Sequence, residues 1–245
     1  MQECAYNGPV LLSLDDGPVS AVSAAVDAAV DAAVWSWTAL GVYGTGLVVA
    51  FGLRTWLHRR TTGSSGFHGV SGRPGSAAWW GGVLFPVAVV LDLVGLIASG
   101  LDPDLVWRAP APVAVIGCAV ALVGLVGTVW AQGGLGVSWR IGVDDGERTE
   151  LVTDGPFRWV RNPVFTAMAV VTAGVALMAP SAATVAAFAV LVAAVQLQVR
   201  VVEEPYLARL HGSSYATYAM RVGRFLPYLG RARSGSMSDE MRTDA

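Results

Sequence analysis

From Val164 to Val199 no residue of this chain carries a charge, and charged residues clamp both ends of that run. Arg158 and Arg161 stand just before it; Arg200, Glu203 and Glu204 stand just after it. One membrane crossing needs only about 20 apolar residues for a hydrocarbon core of about 30 Å. Pro180-Ser181 interrupts the run near its middle, so the run reads as a hairpin of two spans whose charged ends share one side of the bilayer. The fold class expected is all-α, a polytopic membrane helical bundle with a polar site at the membrane surface.

Composition agrees. Charged residues make up 14% of the chain and hydrophobic ones 54%, with mean hydropathy +0.54, whereas soluble domains hold about 25% charged residues. Five transmembrane helices are expected, at about 34–53, 79–99, 113–131, 163–179 and 181–199. The fourth is somewhat short. All 16 basic residues are arginine. Arg54, Arg59, Arg60 and Arg73 follow the first span, Arg140, Arg148, Arg158 and Arg161 follow the third, and seven from Arg200 to Arg242 follow the fifth. Only Arg108 falls on the other side. The positive-inside rule then puts the N-terminus outside and the C-terminus in the cytoplasm of what is expected to be a bacterial plasma membrane.

The organisation expected is an extracytoplasmic segment 1–33, three transmembrane helices over 34–131, a core with the membrane hairpin and a C-terminal helical lid over 132–230, and a disordered tail 231–245. The first segment has Glu3, Asp15, Asp16, Asp27 and Asp31 but no basic residue, so it lacks the positive start of a signal peptide. Asp27 and Asp31 suit a short helix outside the bilayer with one wet face. The tryptophans near span ends read as interfacial anchors. Gly41, Gly44 and Gly46, and Gly117, Gly124 and Gly127, read as helix contacts. A net charge of -2 without a dense basic cluster argues against a nucleic-acid partner. Cys4 and Cys118 are too isolated for a zinc site or a disulfide framework, and no metal is expected.

Around the hairpin the residues become chemically specific. Gly155-Pro156 is a turn dipeptide, and Asn162-Pro163 places Asn at the N-cap and Pro at the first position of a helix. Two guanidinium groups beside a helix N-terminus can serve as anchors or as an anion site. Arg200, Glu203 and Glu204 fall on overlapping faces of a continuing helix, as a self-neutralising group or a catalytic one. Pro205 disturbs the turn before it. Gly212 ends a first short helix and Ser213 or Ser214 caps a second, on which Tyr215 and Tyr218 share a face. Those rings suit either an amphipathic surface helix or a cover over a cationic cofactor.

In order, Gly155-Pro156-Phe157-Arg158, Arg161-Asn162-Pro163, Glu203-Glu204, His211-Gly212, Tyr215, Tyr218, Arg221-Val222 and Pro227 resemble the membrane methyltransferases typified by isoprenylcysteine carboxyl methyltransferase and the phospholipid N-methyltransferases. The resemblance covers roughly the C-terminal third, Leu151 to Pro227. Gly136-Val-Ser-Trp139-Arg140-Ile-Gly-Val-Asp144 also looks like bacterial members of the isoprenylcysteine type. Asn162 stands where the family pattern often has His, and His211 where it has Phe. The resemblance implies S-adenosylmethionine bound between the hairpin ends and the lid, near Gly155, Pro156, Arg158, Arg161, Asn162, Tyr215, Tyr218 and Arg221. It implies catalytic roles for Arg200, Glu203 and Glu204, with Glu203 or Glu204 as a base of raised pKa for an amine or thiol acceptor. The partner implied is a hydrophobic or lipid-linked methyl acceptor drawn from the membrane lipid. Two other readings stand beside it. Steroid and sterol reductases that bind NADPH have a similar C-terminal arrangement, but their Asn-Tyr-aromatic-Gly-Glu motif is replaced here by Val164-Phe165-Thr166-Ala167-Met168. A non-enzymatic scaffold would use the charges for topology alone. Asp92, inside the second span, reads first as a structural group and second as a catalytic one.

Overall fold

The computed structural model describes residues 17–63, 69–136 and 150–232. Among them the chain is an all-α bundle whose only strand-like feature is one isolated bridge, Val160 to Gly223. Helix α1 spans Gly17–Leu47 and passes through a π-helical turn, Val48–Leu53, into α2, Arg54–Thr62. Then come α3, Ala77–Leu101, and α4, Ala111–Leu135. Helix α5 spans Pro163–Met178 and α6 spans Ala182–Leu197; a second π-helical turn, Gln198–Glu203, leads into α7, Glu204–Arg221. Among the described residues four helical stretches are long and apolar enough to cross a membrane, and α5 is a shorter apolar helix.

Helix α1 departs from the expected short outer helix followed by a separate span. No Gly or Pro occurs between Pro18 and Gly41, so nothing stops an Ala-rich helix once begun. Asp27 and Asp31 lie on its exposed surface. At 31 residues it is about 46 Å long at 1.5 Å per residue, more than the membrane core requires.

The hairpin forms where Pro180-Ser181 predicts it. Ser181 accepts from the backbone N–H of Thr184 while the Thr184 hydroxyl accepts from the N–H of Ser181, a reciprocal cap that starts α6. The Pro180 carbonyl accepts from the N–H of Trp107 at 2.7 Å, tying this turn to the loop between α3 and α4.

The most extensive helix pairings are α4 with α5 and α3 with α6. Glycine makes the first one close. A Cβ at Gly124 would lie 2.6 Å from the N of Val171, and one at Gly117 would lie 2.7 Å from the Gly174 carbonyl. A Cβ at Gly174 would run into the backbone of Ala121 and Gly117. In lipid there is little hydrophobic drive between helices, so such backbone approach supplies the packing contact. Gly41 and Gly44 were expected at a contact but face open space. They differ from Gly117 and Gly124 because α1 presents other residues, Ala39 and Tyr43, to the core shared with Leu96, Ala121 and Val175. Asp92 is buried in α3, and neither carboxylate oxygen has a hydrogen-bond partner among the described residues.

Candidate functional site

The end of the bundle where α5 starts and α6 finishes is its polar mouth. Gly155–Arg158 forms a 3-10 turn there; Gly155 has φ 58, a conformation glycine adopts without cost. Pro156 and Phe157 are buried beneath the turn. Val160, Arg161 and Asn162 pair with the C-terminal segment. The N–H of Arg161 donates to the Gly223 carbonyl at 2.8 Å, and the N–H of Asn162 donates to the Arg224 carbonyl at 3.1 Å. The side chain of Asn162 does not cap α5; its Nδ2 donates to the same Arg224 carbonyl at 3.1 Å. Thr166 Oγ1 donates to the Phe225 carbonyl at 2.9 Å. The segment after α7 is thus stitched to the first turns of the hairpin.

Glu204 is the centre of the mouth. Arg161 Nη2 reaches its Oε1 at 2.6 Å. Arg224 grips both oxygens, Nε on Oε1 at 2.8 Å and Nη2 on Oε2 at 2.7 Å, the bidentate geometry that makes such pairs strong. Arg161 also donates through Nη1 to the carbonyls of Ala219 and Val222, each at 2.8 Å, and through Nη2 to that of Gly230 at 3.2 Å. Its side chain is 3% exposed, and its Nε is buried with no partner among the described residues.

The electrostatics run against one sequence expectation. Burial alone would push the Glu204 carboxyl up, but the hydrogen bonds and charges of Arg224 and Arg161 outweigh it and hold the group below its usual range. Glu204 is therefore a carboxylate bound on two sides by guanidinium groups, not a base poised near neutrality. Its pairing also differs from the expected Arg200–Glu204 group: Arg200 is exposed, and its Nε donates to Gln196 Oε1 at 2.8 Å, one turn back along the helix. The disturbance expected from Pro205 appears as the π-helical turn before Glu204, which absorbs one extra residue.

Helix α7 covers the mouth. Gly212, with φ 50 and ψ -124, breaks it where the sequence predicts a break. Tyr215 and Tyr218 follow with ring centroids 6.3 Å apart, edge to face. Tyr215 is buried; Tyr218 donates its hydroxyl to the Phe157 carbonyl at 2.7 Å, fixing α7 over the Gly155 turn. Burial pushes the Tyr218 hydroxyl up to about 12, and burial followed by the Glu204 charge raises Tyr215 as well, so both hydroxyls are neutral.

Arg158 and Arg221 go elsewhere. With Trp159, Pro227 and Tyr228 they line a shallow dish on the outer surface of the mouth, and none of Arg161, Asn162, Glu204, Tyr215 or Tyr218 belongs to its lining. A second space lies inside the bundle: a narrow apolar cleft of about 40 Å³ bordered by Tyr43, Gly46, Phe51, Phe85, Met168 and Leu191, among others. It lies in the half of the bundle nearest the mouth, since Met168 is in the second turn of α5. Gln132 Nε2 donates to the carbonyl of Ala50, within the first π-helical turn, at 3.0 Å.

The structure thus brings together Arg161, Asn162, Glu204 and Tyr218 with the Gly155-Pro156 turn, while Arg200 stands apart in the π-helical turn after α6. Arg224 was missed by sequence reasoning. A signal existed: Arg221-Val222-Gly223-Arg224 carries two arginines three apart, of which only the first belongs to the motif read above. The Gly136–Asp144 segment lies largely outside the described residues, as does the tail beyond residue 232.

The sequence model of the phospholipid methyltransferase family matches residues 113–214. That stretch takes in α4, the hairpin, Arg161, Asn162, Glu203, Glu204 and the first half of α7, and it agrees with the resemblance read from the C-terminal motifs. No curated protein matches the chain.

Proposed function

We propose that this membrane protein transfers a methyl group from S-adenosylmethionine to a hydrophobic or lipid-linked acceptor at the bilayer surface. One observation carries the reading within a methyltransferase family match: residues remote in sequence, Arg161, Glu204 and Arg224, converge in one buried network at the mouth of a membrane hairpin. The residues present fit the donor. The unpartnered Nε of Arg161 is a buried cationic donor suited to a carboxylate, and the Tyr215 and Tyr218 rings suit a sulfonium or an adenine. When bound, S-adenosylmethionine supplies an activated methyl for in-line displacement. What the chain supplies is alignment, which can be worth several kcal/mol. Gly155, Pro156, Asn162 and the two tyrosines shape the site around the Glu204 network. Arg200, exposed in the π-helical turn after α6 and outside the Glu204 network, would orient an acidic acceptor approaching from that side.

Glu204 serves this reading as a positioning residue. A carboxylate whose proton affinity is lowered by two arginines is a weak base. The chemistry favoured is an acceptor that needs no proton removed, such as a carboxylate, or one whose proton passes to Glu203. The acceptor's hydrocarbon part would enter along the narrow apolar cleft near the mouth, which must widen to hold it.

The test uses the full chain purified in detergent. Calorimetric titration should show S-adenosylmethionine binding, and Glu204→Ala should weaken it by roughly tenfold or more, the loss of one charge-assisted contact set. Incubation with methyl-labelled donor and total membrane lipid extract should yield a labelled hydrophobic product. Binding of NADPH with none of S-adenosylmethionine would overturn the proposal in favour of the reductase reading.

A further inference from the structure

The dish formed by Arg158, Trp159, Arg221, Pro227 and Tyr228 plays no part in the Glu204 network, yet its construction is specific. Its lining includes two arginines and no acidic residue. Neither guanidinium has a carboxylate partner among the described residues; Arg158 instead stacks 5.0 Å from the Trp159 ring. A third arginine, Arg231, sits 4.8 Å from the ring of Tyr228. Tyr228 itself is held at φ 69, the single non-glycine residue with positive φ among those described. A bulky residue in that region costs of order 1 kcal/mol or more, and the effect here is to present the ring at the rim of the dish.

The loop carrying Tyr228 is also apolar where it is most exposed. Leu226, Tyr228 and Leu229 are 54%, 71% and 61% exposed, and Trp159 beside them is 49% exposed. The loop is fastened to the residues just before α5 by the backbone pairing of Arg161 and Asn162. It therefore lies at the level where the bundle leaves the hydrocarbon. Exposed leucines and aromatic rings next to arginines without a carboxylate partner among the described residues, at that depth, match the polarity profile of a lipid headgroup region: apolar groups dip below the phosphates and guanidinium groups meet them. A soluble cytosolic surface would gain nothing from that combination.

We propose that this dish is a binding site for the phosphate of an anionic membrane lipid, with Arg158 and Arg221 as its ligands and the Leu226–Leu229 knuckle inserted beside it. An occupied dish bridges the turn before α5, through Arg158, and the end of α7, through Arg221, and so clamps the cover over the mouth from outside. The lipid here is a fixed partner of the protein and not its methyl acceptor. The inference does not depend on methyl transfer: a scaffold or a reductase with this surface would bind the same headgroup.

The test is native mass spectrometry of the detergent-purified full chain titrated with phosphatidylglycerol or phosphatidylcholine of equal chain length, with and without inorganic phosphate. Wild type should prefer the anionic lipid by roughly tenfold, as expected for two arginines at a charged surface. The double variant Arg158→Gln/Arg221→Gln should lose that preference while its binding of phosphatidylcholine and its melting temperature stay close to wild type. Should that double variant unfold, Tyr228→Ser provides the second probe and should weaken anionic lipid binding severalfold by removing the rim. An unchanged preference in the double variant overturns the site. Displacement of the lipid by millimolar inorganic phosphate overturns the lipid as occupant and assigns the arginines to a soluble phosphate. Because no methyl donor is present in this assay and no transfer is read, its failure is distinguishable from failure of the methyltransferase reading.

Discussion

Helix α5 is held in two opposite ways along its length. Its middle lies against α4 through absence: Gly117, Gly124 and Gly174 leave out side chains so that backbones meet. Its start is held through presence: Arg161, the residue before the N-cap, grips three carbonyls and a carboxylate through its two Nη atoms. The seam cannot accept an atom and the mouth cannot lose a charge. In the seam, stability and shape are one property. At the mouth, the same groups that fix the structure are those a charged ligand would use, so stability and binding are coupled there.

Adding atoms to the seam should have the largest effect. Gly174→Leu drives a side chain into the Ala121 and Gly117 backbones, which forces α4 and α5 apart and should cost about 3 kcal/mol or more; thermal melting in detergent checks this. Gly41→Ala is the matched control, because open space surrounds that position, and its melting should stay within about 0.5 kcal/mol of wild type. Equal effects of the two would erase the distinction between a glycine that packs and one that does not.

Removing charge at the mouth comes next. Glu204→Ala leaves Arg161 and Arg224 facing each other across a partly buried gap and should cost about 2 kcal/mol, less than a fully buried pair because Glu204 retains 16% exposure. Acid should mimic the lesion. The folded carboxyl holds its proton less tightly than its ordinary value of 4.5. The network thus stabilises the fold at neutral pH and down to about pH 4.5, and that stability drains away as the pH falls through the depressed folded value. Melting scans from pH 6 to pH 3 should show a steeper decline for wild type than for Glu204→Gln. Parallel curves would mean that the network contributes little.

The smallest effect belongs to Tyr218→Phe. It removes the bond to the Phe157 carbonyl and should cost about 1 kcal/mol, with little change in the melting of the seam. Amide exchange should rise in α7 and not in α4. Faster exchange spread evenly over both would show that mouth and seam are one cooperative unit.

The helices were legible because their causes are local. Pro180-Ser181 with Thr184 caps α6, Gly155 permits its turn, and Gly212 breaks α7. Arg161 and Glu204 were singled out together through the family resemblance, and the structure brings them into contact. Their partnership was not. Arg200 sits at the helical spacing that favours Glu204, yet the π-helical turn and the returning loop bring Arg161 and Arg224 to it first. Pairing across 20 and 43 residues depends on where the chain returns, and local spacing carries no record of that. Burial misled in the same manner: it predicts a raised carboxyl pKa until the two arginines are placed. The glycines of α1 and α4 look alike in sequence, and only the neighbouring helix separates them.

The break at Gly212 has a mechanical consequence. Helix α7 is fastened at its beginning, where Glu204 is gripped by two arginines, and at its end, where Arg161 holds the carbonyls of Ala219 and Val222 and the N–H of Ala232 returns to Ala219. Swinging it as a rigid flap from either anchor would tear these bonds. Flexing at the joint between the anchors spares all of them, and a Cβ at Gly212 would meet nothing within 4 Å. Traffic through the mouth, in either direction, is thereby directed to the middle of α7, where a residue without a side chain serves as the elbow.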